Sequence, residues 1–370
     1  MKQRHVIDID ARMLGFSGIG VYLENLVREM AVQSTQYTFN LFGNLAKLTL
    51  FSEPNIIKNS LDAPVYGLKE QLVINRVFAK TDSSLLHCPH YNIPLLYKGK
   101  LVVTVHDLIH LKFPQYLPNK TAYLYARLMI GSAVKKADKV IAVSENTKRD
   151  IVDWFSVNPD KVEVIYNGFA GNSCSGVSPE EAQKIRAGLG INKPYILYVG
   201  NVRPHKNIQR LIGAFIQLES RFGNEFQLVI AGDIRKDFNP FFIDGQKMNS
   251  SNIILTGWLP RRDLTGLYEG AGLFVFPSLY EGFGFPPLEA MACGVPVVAS
   301  NVSSIPEVVG EAAIMADPYD IEDLSQAMEK GLTDEPVRAA LVEKGYRQVT
   351  KFSWRQTAGR VLRLYDEVLN

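Results

Sequence analysis

Short apolar runs alternate with segments of helical periodicity along almost the whole chain. Continuous apolar strands separated by helices predict parallel sheets that are covered on both faces. The predicted strands of the first half are residues 5–10, 38–42, 85–88, 101–105, 140–143 and 162–165. Those of the second half are residues 195–199, 227–231, 253–255, 273–276, 295–299 and 313–315.

The two series of strands predict two domains. Each series has the order expected of a doubly wound α/β domain, and a chain of 370 residues is long for a single hydrophobic core. We expect the boundary within residues 167–194, where the run GFAGNSCSG has the composition of a loop. An amphipathic helix is predicted over residues 354–369, with its apolar positions on one side.

Composition and charge narrow the class of protein. The sequence is 46% hydrophobic and has no apolar run of 18 residues, so we expect no transmembrane helix. The start, MKQRHVIDID, lacks the apolar stretch of a signal peptide. Residues 1–170 hold 20 Lys and Arg against 15 Asp and Glu, whereas residues 171–370 hold 20 against 23. The basic half suits an anionic acceptor or an anionic membrane surface, and solvated charge without function is the alternative.

The most informative motif is the segment 278–294, SLYEGFGFPPLEAMACG. It places Glu281 and Glu289 eight positions apart, across a Gly-rich turn and the start of a helix predicted over 288–293. Gly282 and Gly284 have no Cβ, so the backbone there can approach a ligand closely. A helix N-terminus favours a bound anion, and flanking carboxylates suit a phosphate ester with many hydroxyls. A nucleotide sugar fits that description.

Two candidate sites in the first half follow predicted strands, where open parallel sheets bind their ligands. The loop 14–21, LGFSGIGV, precedes a helix predicted over 21–32 and could cradle a phosphate, although a plain tight turn explains it equally well. His106 directly follows a strand, and a histidine there could donate a hydrogen bond to a sugar hydroxyl or a phosphate oxygen. A structural histidine is the alternative.

A third candidate lies in the second half, in the sequence VGNVRPHKN after the strand 195–199. Arg203 and Lys206 are two cations beside a turn, before a helix predicted over 208–218. Together they could neutralise a pyrophosphate. A solvated pair of charges is the alternative, and the position at a strand end argues against it.

Two further patterns favour structural interpretations. Asp8 and Asp10 spell a DxD pattern, but alternation in the first strand points both carboxylates to one face. We interpret them as structural and not as metal ligands. The segment 126–139 carries Arg127 and three lysines, and a solvated helix face is favoured there over a membrane-facing helix.

These pieces, in this order, resemble the retaining glycosyltransferases of family 4, which have the two-domain GT-B fold. The resemblance covers essentially the whole chain, and its most specific element is the E-x7-E motif from Glu281 to Glu289. It implies an acceptor-binding domain at residues 1–175, completed by a C-terminal helix at 354–370 that crosses back onto it. A donor-binding domain is implied at residues 190–352, facing the first across a central cleft.

The resemblance also implies roles for the candidate residues near the reacting sugar. Gly18 resembles the glycine whose amide lies near the donor phosphate and the acceptor. His106 resembles the histidine near the donor sugar and its anomeric centre. Glu281 would bind sugar hydroxyls, assisted by the backbone at residues 282–284, which are Gly282, Phe283 and Gly284.

The remaining roles concern the nucleotide end of the donor. Arg203 and Lys206 resemble the pair that holds the pyrophosphate, and Glu289 would bind the ribose hydroxyls. Many members of the family have arginine directly after the glycine at position 200. Here that residue is Asn201, and Arg203 is expected to supply the charge.

The implied activity is transfer of a hexose from a nucleotide diphosphate sugar, with retention at the anomeric carbon and without a metal or other cofactor. The sequences of these motifs resemble those of bacterial mannosyltransferases of O-antigen and polysaccharide assembly. GDP-mannose, or a related GDP-hexose such as GDP-rhamnose, is therefore the expected donor, and a UDP-hexose is the alternative. The implied acceptor is a lipid-linked glycan, met by a cytoplasmic protein at the inner face of the membrane, with no nucleic acid involved.

Two hypotheses from other classes stay open on the sequence. One is a sugar-nucleotide-binding subunit without catalysis, and the other is an epimerase or phosphorylase on the same fold. Turnover of the donor would exclude the non-catalytic subunit. Release of nucleoside diphosphate only when an acceptor is present would exclude the second hypothesis.

Overall fold

A computed structural model describes residues 5–171, 176–233, 239, 241–243, 246–247 and 250–370. The chain divides into two compact units. Unit 1 comprises Met1–Gly168 and Phe352–Asn370, and unit 2 comprises Phe169–Lys351. The division falls at the start of the loop-rich stretch 167–194.

Unit 1 contains, within the described residues, a parallel sheet of seven strands. They are β1 (His5–Asp10), β2 (Tyr37–Gly43), β3 (Ile56–Ser60), β4 (Leu85–Cys88), β5 (Leu101–Val105), β6 (Lys139–Ala142) and β7 (Val162–Val164). Their order across the sheet is β3-β2-β1-β4-β5-β6-β7. The sequence predicts every one of these except β3. That strand, IIKNS, lies at the sheet edge and is largely exposed, so it lacks a continuous apolar run.

The helices of unit 1 cover both faces of this sheet. They are α1 (Ser17–Gln33), α2 (Leu45–Leu48), α3 (Leu68–Phe78), α4 (Ile109–Lys112), α5 (Lys120–Lys136), α6 (Glu145–Phe155) and a last helix at Trp354–Leu369. Apolar side chains of α3, α5 and α6 share one core with β4, β5 and β6, and Ile74, Ile130 and Ile151 are fully buried there. These three helices therefore lie on the same face of the sheet.

The last helix belongs to unit 1 and spans the predicted residues 354–369. It packs on α1, and buried polar groups tie it to the sheet. The Tyr365 hydroxyl lies 2.6 Å from Nδ1 of His87, whose Nε2 lies 2.9 Å from the Thr104 hydroxyl. Burial lowers the pKa of His87 to about 3, so the ring is neutral at physiological pH. The helix is thus an integral layer of unit 1.

Unit 2 contains a second parallel sheet, of six strands within the described residues. They are β8 (Tyr195–Val199), β9 (Gln227–Ala231), β12 (Ile253–Gly257), β13 (Leu273–Phe276), β14 (Val297–Ser300) and β15 (Ile314–Ala316), and a short antiparallel hairpin joins β10 (Phe242–Ile243) to β11 (Gln246–Lys247). The order of the sheet is β12-β9-β8-β13-β14-β15. All six strands are predicted from the sequence, whereas the two-residue strands of the hairpin are not.

The helices of unit 2 alternate with its strands, as the predicted α/β class requires. They are α7 (Pro179–Gly188), α8 (Ile208–Phe222), α9 (Arg261–Gly270), α10 (Phe285–Ala292), α11 (Ile305–Val309), α12 (Ile321–Thr333) and α13 (Glu335–Val349), and the helix at Trp354–Leu369 of unit 1 is numbered α14. The prediction of two doubly wound α/β domains is confirmed. Within the described ranges, no helix combines the length and the apolar sequence that crossing a bilayer requires.

Candidate functional site

The candidate site of unit 2 lies where the connections of the sheet change direction. β8 has β9 on one side and β13 on the other. The loops that follow β8 and β13 therefore start at the carboxyl ends of two adjacent strands and diverge from there. Crevices at such switch points are where doubly wound sheets bind ligands. Lys206 follows β8 and Glu281 follows β13. The topology thus brings together residues that are 75 positions apart in the chain.

Main-chain and amide contacts hold the Lys206 turn against the segment after β13. The turn Pro204–Lys206 is a short 3₁₀ helix, and Asn207 follows it with a φ of 62°. Nδ2 of the buried Asn207 donates to the carbonyls of Pro277, at 3.0 Å, and Pro318, at 2.6 Å. The carbonyl of His205 accepts from the amide of Leu279 at 2.8 Å. The position of the Lys206 backbone is therefore set by the fold.

Lys206 and Glu281 form the central ion pair of the site. Nζ of Lys206 lies 2.5 Å from Oε1 of Glu281, and the two side chains are only 18% and 14% exposed. The same Nζ lies 5.8 Å from the centroid of the Phe276 ring. Partial burial strengthens the attraction relative to that of a solvated pair. The pair presents a fixed cation and a fixed carboxylate at the edge of the sheet.

Two serines outside the predicted motifs fix the loop that carries Glu281. They follow β14, the next strand of the sheet. The Ser303 hydroxyl donates to the carbonyl of Glu281 at 2.7 Å, and that of Ser304 donates to the same carbonyl at 2.9 Å. The Ser304 hydroxyl also lies 3.1 Å from the carbonyl of Phe283. No pattern around these serines in the sequence distinguishes them from ordinary loop residues.

α10 begins earlier than the predicted span of 288–293. It starts at Phe285, after Gly284 at a φ of 114°, a conformation that glycine adopts without a Cβ clash. Pro286 and Pro287 thus lie inside the first turn, where a missing N–H costs no helical hydrogen bond. The prolines also remove two potential amide donors from this helix end. Its contribution to anion binding is then mainly the partial positive charge of the helix dipole.

Glu289 lies on α10, and its carboxylate is held from one side by α9. The hydroxyl of Tyr268 donates to Oε2 of Glu289 at 2.8 Å. Burial raises the pKa of the Glu289 carboxyl, and the Tyr268 hydrogen bond and the charge of Arg261 offset part of that increase. Glu281 is instead paired with Lys206. The two glutamates of the motif therefore have separate partners and separate environments.

Arg203 directly precedes the turn Pro204–Lys206, and its side chain is exposed. In the described part of the chain Arg203 forms no ion pair, and Asn201, two residues earlier, is exposed and uncharged. Gly200 has a φ of 148°, and a Cβ at this position would lie 2.8 Å from the Tyr198 hydroxyl. The glycine is required by this local packing. The cation of Arg203 remains available to a ligand.

His106 is the candidate residue of unit 1 after β5. Its Nε2 lies 3.0 Å from the carbonyl of Pro89 and must donate to it, because a carbonyl only accepts. Burial lowers the pKa of His106, so the ring is neutral at physiological pH and Nδ1 carries no proton. The ring also packs edge-on against Tyr22, with centroids 4.9 Å apart. The prediction that His106 donates a hydrogen bond to a ligand is therefore wrong for Nε2, which already donates to Pro89. The unprotonated Nδ1 is suited to accept a hydrogen bond from a hydroxyl.

The glycine-rich loop of unit 1 differs from its prediction. α1 starts at Ser17 and not at residue 21, so Gly18 lies in the first turn of the helix, where it is exposed. A Cβ on Gly20 would lie 2.8 Å from the amide nitrogen of Gly15. Gly20 is therefore needed for the close packing of the turn. Gly18 is the glycine whose backbone is accessible at the helix start.

A buried ionic cluster in unit 1 is absent from the predicted site residues. The Arg12 guanidinium binds Asp10 through two nitrogens, with NH2 to Oδ2 at 2.6 Å, and lies 2.9 Å from Oε1 of Glu70. Oε2 of Glu70 accepts from Nδ2 of Asn92 at 2.9 Å. Asp8 accepts from Asn40 at 3.0 Å. The DxD pattern is thus bonded to protein groups, as the structural interpretation predicts.

Metal independence stays a prediction. Among the residues that the structure describes, no group of three His, Cys, Asp or Glu side chains is arranged to hold a metal ion.

Comparison with known proteins decides the family. A model described as Glycosyltransferase Family 4 matches residues 16–170, and one described as Glycosyl transferases group 1 matches residues 181–348. O-antigen chain mannosyltransferase B of Escherichia coli is 31% identical over 283 residues, which are 76% of this chain and 74% of that protein. The chain belongs to glycosyltransferase family 4. The resemblance identified from the sequence is confirmed.

Other relatives place this family 4 chain among longer proteins and on a known fold. Serotype-specific mannosyltransferase WbdA of E. coli is 32% identical over 304 residues, covering 80% of this chain and 36% of that protein. The chain thus spans about a third of the length of the WbdA relatives. Sucrose-phosphate synthase from Thermosynechococcus elongatus superimposes with a TM-score of 0.75 at 20% identity, over 99% of both chains. The predicted GT-B fold is confirmed.

Proposed function

We propose that this family 4 chain transfers a hexose from a nucleoside diphosphate sugar to a hydroxyl of a lipid-linked glycan, with retention at the anomeric carbon. Mannose from GDP-mannose is the first candidate, since the relatives WbdA and mannosyltransferase B are named for mannosyl transfer. A related GDP-hexose is included, and a UDP-hexose is the alternative donor. The single observation that carries the proposal is the Lys206–Glu281 pair at the switch point of unit 2.

The pair and its neighbours supply complementary groups for the parts of such a donor. Lys206 and Arg203 bind the pyrophosphate, and the dipole of α10 adds to their positive potential. Glu281 accepts from sugar hydroxyls and holds the ammonium of Lys206 in place. Glu289 accepts from the ribose hydroxyls. Because Lys206, Glu281 and Glu289 are fixed by the contacts described above, these three groups need little reorganisation when charge develops on the leaving diphosphate.

The chemistry in this proposal is a front-face substitution. The acceptor oxygen forms a bond to the anomeric carbon as the bond to the diphosphate oxygen breaks, and the acceptor proton passes to the leaving phosphate. The positive charges of Arg203 and Lys206 stabilise that phosphate as it leaves. Nδ1 of His106 accepts from a sugar hydroxyl near the reacting carbon. Each well-placed donor or cation of this kind contributes about 3–4 kcal/mol to transition-state stabilisation.

A direct experiment is thermal-shift screening of the full chain with GDP, UDP and ADP, followed by transfer assays with sugars of the winning nucleotide. The proposal predicts release of nucleoside diphosphate only in the presence of a glycan acceptor. It also predicts that NMR of the product shows the same anomeric configuration as in the donor sugar. Binding of nucleotide without any turnover would favour the non-catalytic subunit. Release of product without an acceptor would favour the epimerase class.

Glu289→Gln tests the ribose role through pH. Because the pKa of Glu289 is raised, its carboxylate becomes protonated at a higher pH than an ordinary glutamate, and nucleotide affinity should decline as pH falls through that range. The variant should bind about tenfold or more weakly at neutral pH and lose this part of the pH dependence. Calorimetric titration at several pH values measures both effects. Glu343→Gln, at an exposed ion pair, is the control, and a variant that retains the wild-type pH profile would remove the assigned role.

A further inference from the structure

Unit 1 has an exposed surface of leucines that plays no part in the proposed site. The leucines lie on α3, residues 94–98 and α5. Leu72 and Leu96 are 75% and 74% exposed, and Leu124 and Leu128 are 54% and 59% exposed. Leu95 is also exposed. Scattered single leucines are common on protein surfaces, whereas a contiguous set is a mark of interaction. We call these five residues the leucine surface.

Hydrogen bonds join the three segments that carry the leucine surface. Gln71 of α3 donates to the carbonyl of Ile93 at 3.0 Å and accepts from the amide of Leu95 at 3.1 Å. Asn75 accepts from the amide of Leu96 at 2.7 Å. From the other side, Nζ of Lys136 on α5 donates to the carbonyl of Leu95 at 2.5 Å. The segment that carries Leu95 and Leu96 therefore lies between α3 and α5.

Both helices turn their leucines away from the sheet. The buried residues of α3 and α5 share the same apolar core, so their exposed residues lie on the same outer side of unit 1. On α5 the exposed Leu124 and Leu128 are one helical turn apart, opposite the buried Ala126, Ile130 and Ala133. The leucine surface is thus a flank of the unit and not part of its core.

The charge around the leucines has one sign. The segments 68–78, 94–100 and 120–136 contain two, two and four Lys and Arg residues. Their one carboxylate is Glu70, which is fully buried and paired with Arg12. Exposed cations include Lys69, Arg76, Lys98, Arg127 and Lys135. The exposed side chains of the three segments are therefore leucines and cations, apart from Thr121.

We propose that the leucine surface docks unit 1 onto an anionic lipid bilayer. Aliphatic side chains enter the interfacial region, and surrounding lysines and arginines are attracted to anionic headgroups. Protein interfaces are typically rich in aromatic residues and poor in lysine, whereas the leucine surface contains no aromatic residue and is flanked by exposed lysines and arginines. Sequence periodicity alone favours a solvated face for residues 126–139. The leucines that α3 and residues 94–98 add to it change that interpretation.

The docked orientation also suits a lipid-linked acceptor. α3 starts near the carboxyl edge of the sheet, because Glu70 in its first turn contacts Arg12 and Asn92, which follow β1 and β4. His106 follows β5 at the same edge. Docking through α3 therefore holds this edge of unit 1 near the headgroup layer. This step rests on the proposed acceptor, whereas membrane binding itself does not.

The test is co-sedimentation of the full chain with vesicles, without donor or acceptor. Wild type should bind vesicles that contain phosphatidylglycerol, less so at high salt, and should bind phosphatidylcholine vesicles weakly. Leu72→Glu/Leu96→Glu should reduce the partition coefficient on anionic vesicles by about tenfold or more. Arg76→Gln/Arg127→Gln should reduce it and flatten its salt dependence.

The matched control is Val32→Glu/Ile57→Glu, which adds two charges at exposed positions on other elements of unit 1. It should sediment with anionic vesicles as wild type does, and all variants should keep the wild-type melting temperature. Transfer to a water-soluble glycan should be unchanged by Leu72→Glu/Leu96→Glu, so failure of docking and failure of the proposed activity are distinguishable. Absence of vesicle binding, equal binding to phosphatidylcholine, or equal loss in the control would overturn the proposal.

Discussion

Lys206→Ala is expected to lower kcat for hexosyl transfer by about a hundredfold to a thousandfold, the effect of removing one preorganised charge-stabilising group. The reason is that its ammonium, held 2.5 Å from Glu281 and only 18% exposed, is the fixed cation that we assign to the leaving diphosphate. The free energy of unfolding should change by only about 1–2 kcal/mol, since the pair retains some contact with solvent. Initial rates at saturating donor and urea unfolding measure the two quantities.

Arg221→Ala is the matched control for Lys206→Ala. Arg221 also belongs to the 206–222 region of unit 2, but it pairs with Glu322 at 3.3 Å and Glu329 at 3.2 Å on an exposed surface. Its removal should leave kcat unchanged. If Lys206→Ala kept wild-type turnover, or if Arg221→Ala lost as much, the assignment of Lys206 to the leaving group would be wrong.

Gly168→Ala is expected to produce the largest loss of stability. A Cβ at this position would lie 2.1 Å from the amide nitrogen and 2.4 Å from the Cα of Trp354. Both are main-chain atoms at the start of α14, so a rotamer change cannot relieve the clash. The first turn of α14 must shift, and its contacts with the sheet shift with it. We expect the free energy of unfolding to decrease by about 3 kcal/mol or more.

Urea unfolding of Gly168→Ala beside Gly67→Ala checks this expectation. Gly67 is in the same unit at an extended φ of −178°, and a Cβ there would meet no atom within 4 Å. The control should therefore differ little from wild type. Equal stability of Gly168→Ala and wild type would mean that α14 is not held against Gly168 as described.

The strands that carry the site were predictable because each is buried on both faces. β5 and β8 consist entirely of buried residues, and such strands appear in the sequence as uninterrupted apolar runs. β3 was not predictable for the opposite reason, since it is an edge strand with mostly exposed side chains. Pro286 and Pro287 suit a first helical turn on the sequence alone, and α10 indeed begins at Phe285, directly before them. The predicted span of 288–293 leaves that turn out.

The candidate residues themselves were partly predictable. Glu281 and Glu289 have a characteristic spacing, and Lys206 and Glu281 lie in loops that follow strand ends. Ser303 does not, because its role depends on a hydrogen bond to the main chain of Glu281, 22 positions away. The Arg12–Glu70 contact is likewise a product of topology, since no sequence pattern links the end of β1 with the first turn of α3.

The proton on His106 is a further property that only the structure supplies. The sequence does not indicate which ring nitrogen of a histidine after a strand carries the proton. The carbonyl of Pro89, at 3.0 Å from Nε2, selects the form with a proton on that nitrogen. The chemical role of the ring therefore depends on a main-chain atom 17 residues away.

The central claim is that the loops after β8 and β13 hold the diphosphate of a nucleotide sugar. Calorimetric titration of the full chain with GDP, UDP and ADP tests it most directly. The account predicts that one of the three nucleotides binds, that Lys206→Ala weakens this binding by about tenfold or more, and that Arg221→Ala does not. If GDP, UDP and ADP all fail to bind, or if Lys206→Ala binds as tightly as wild type, the site does not hold a nucleoside diphosphate and the central claim is contradicted.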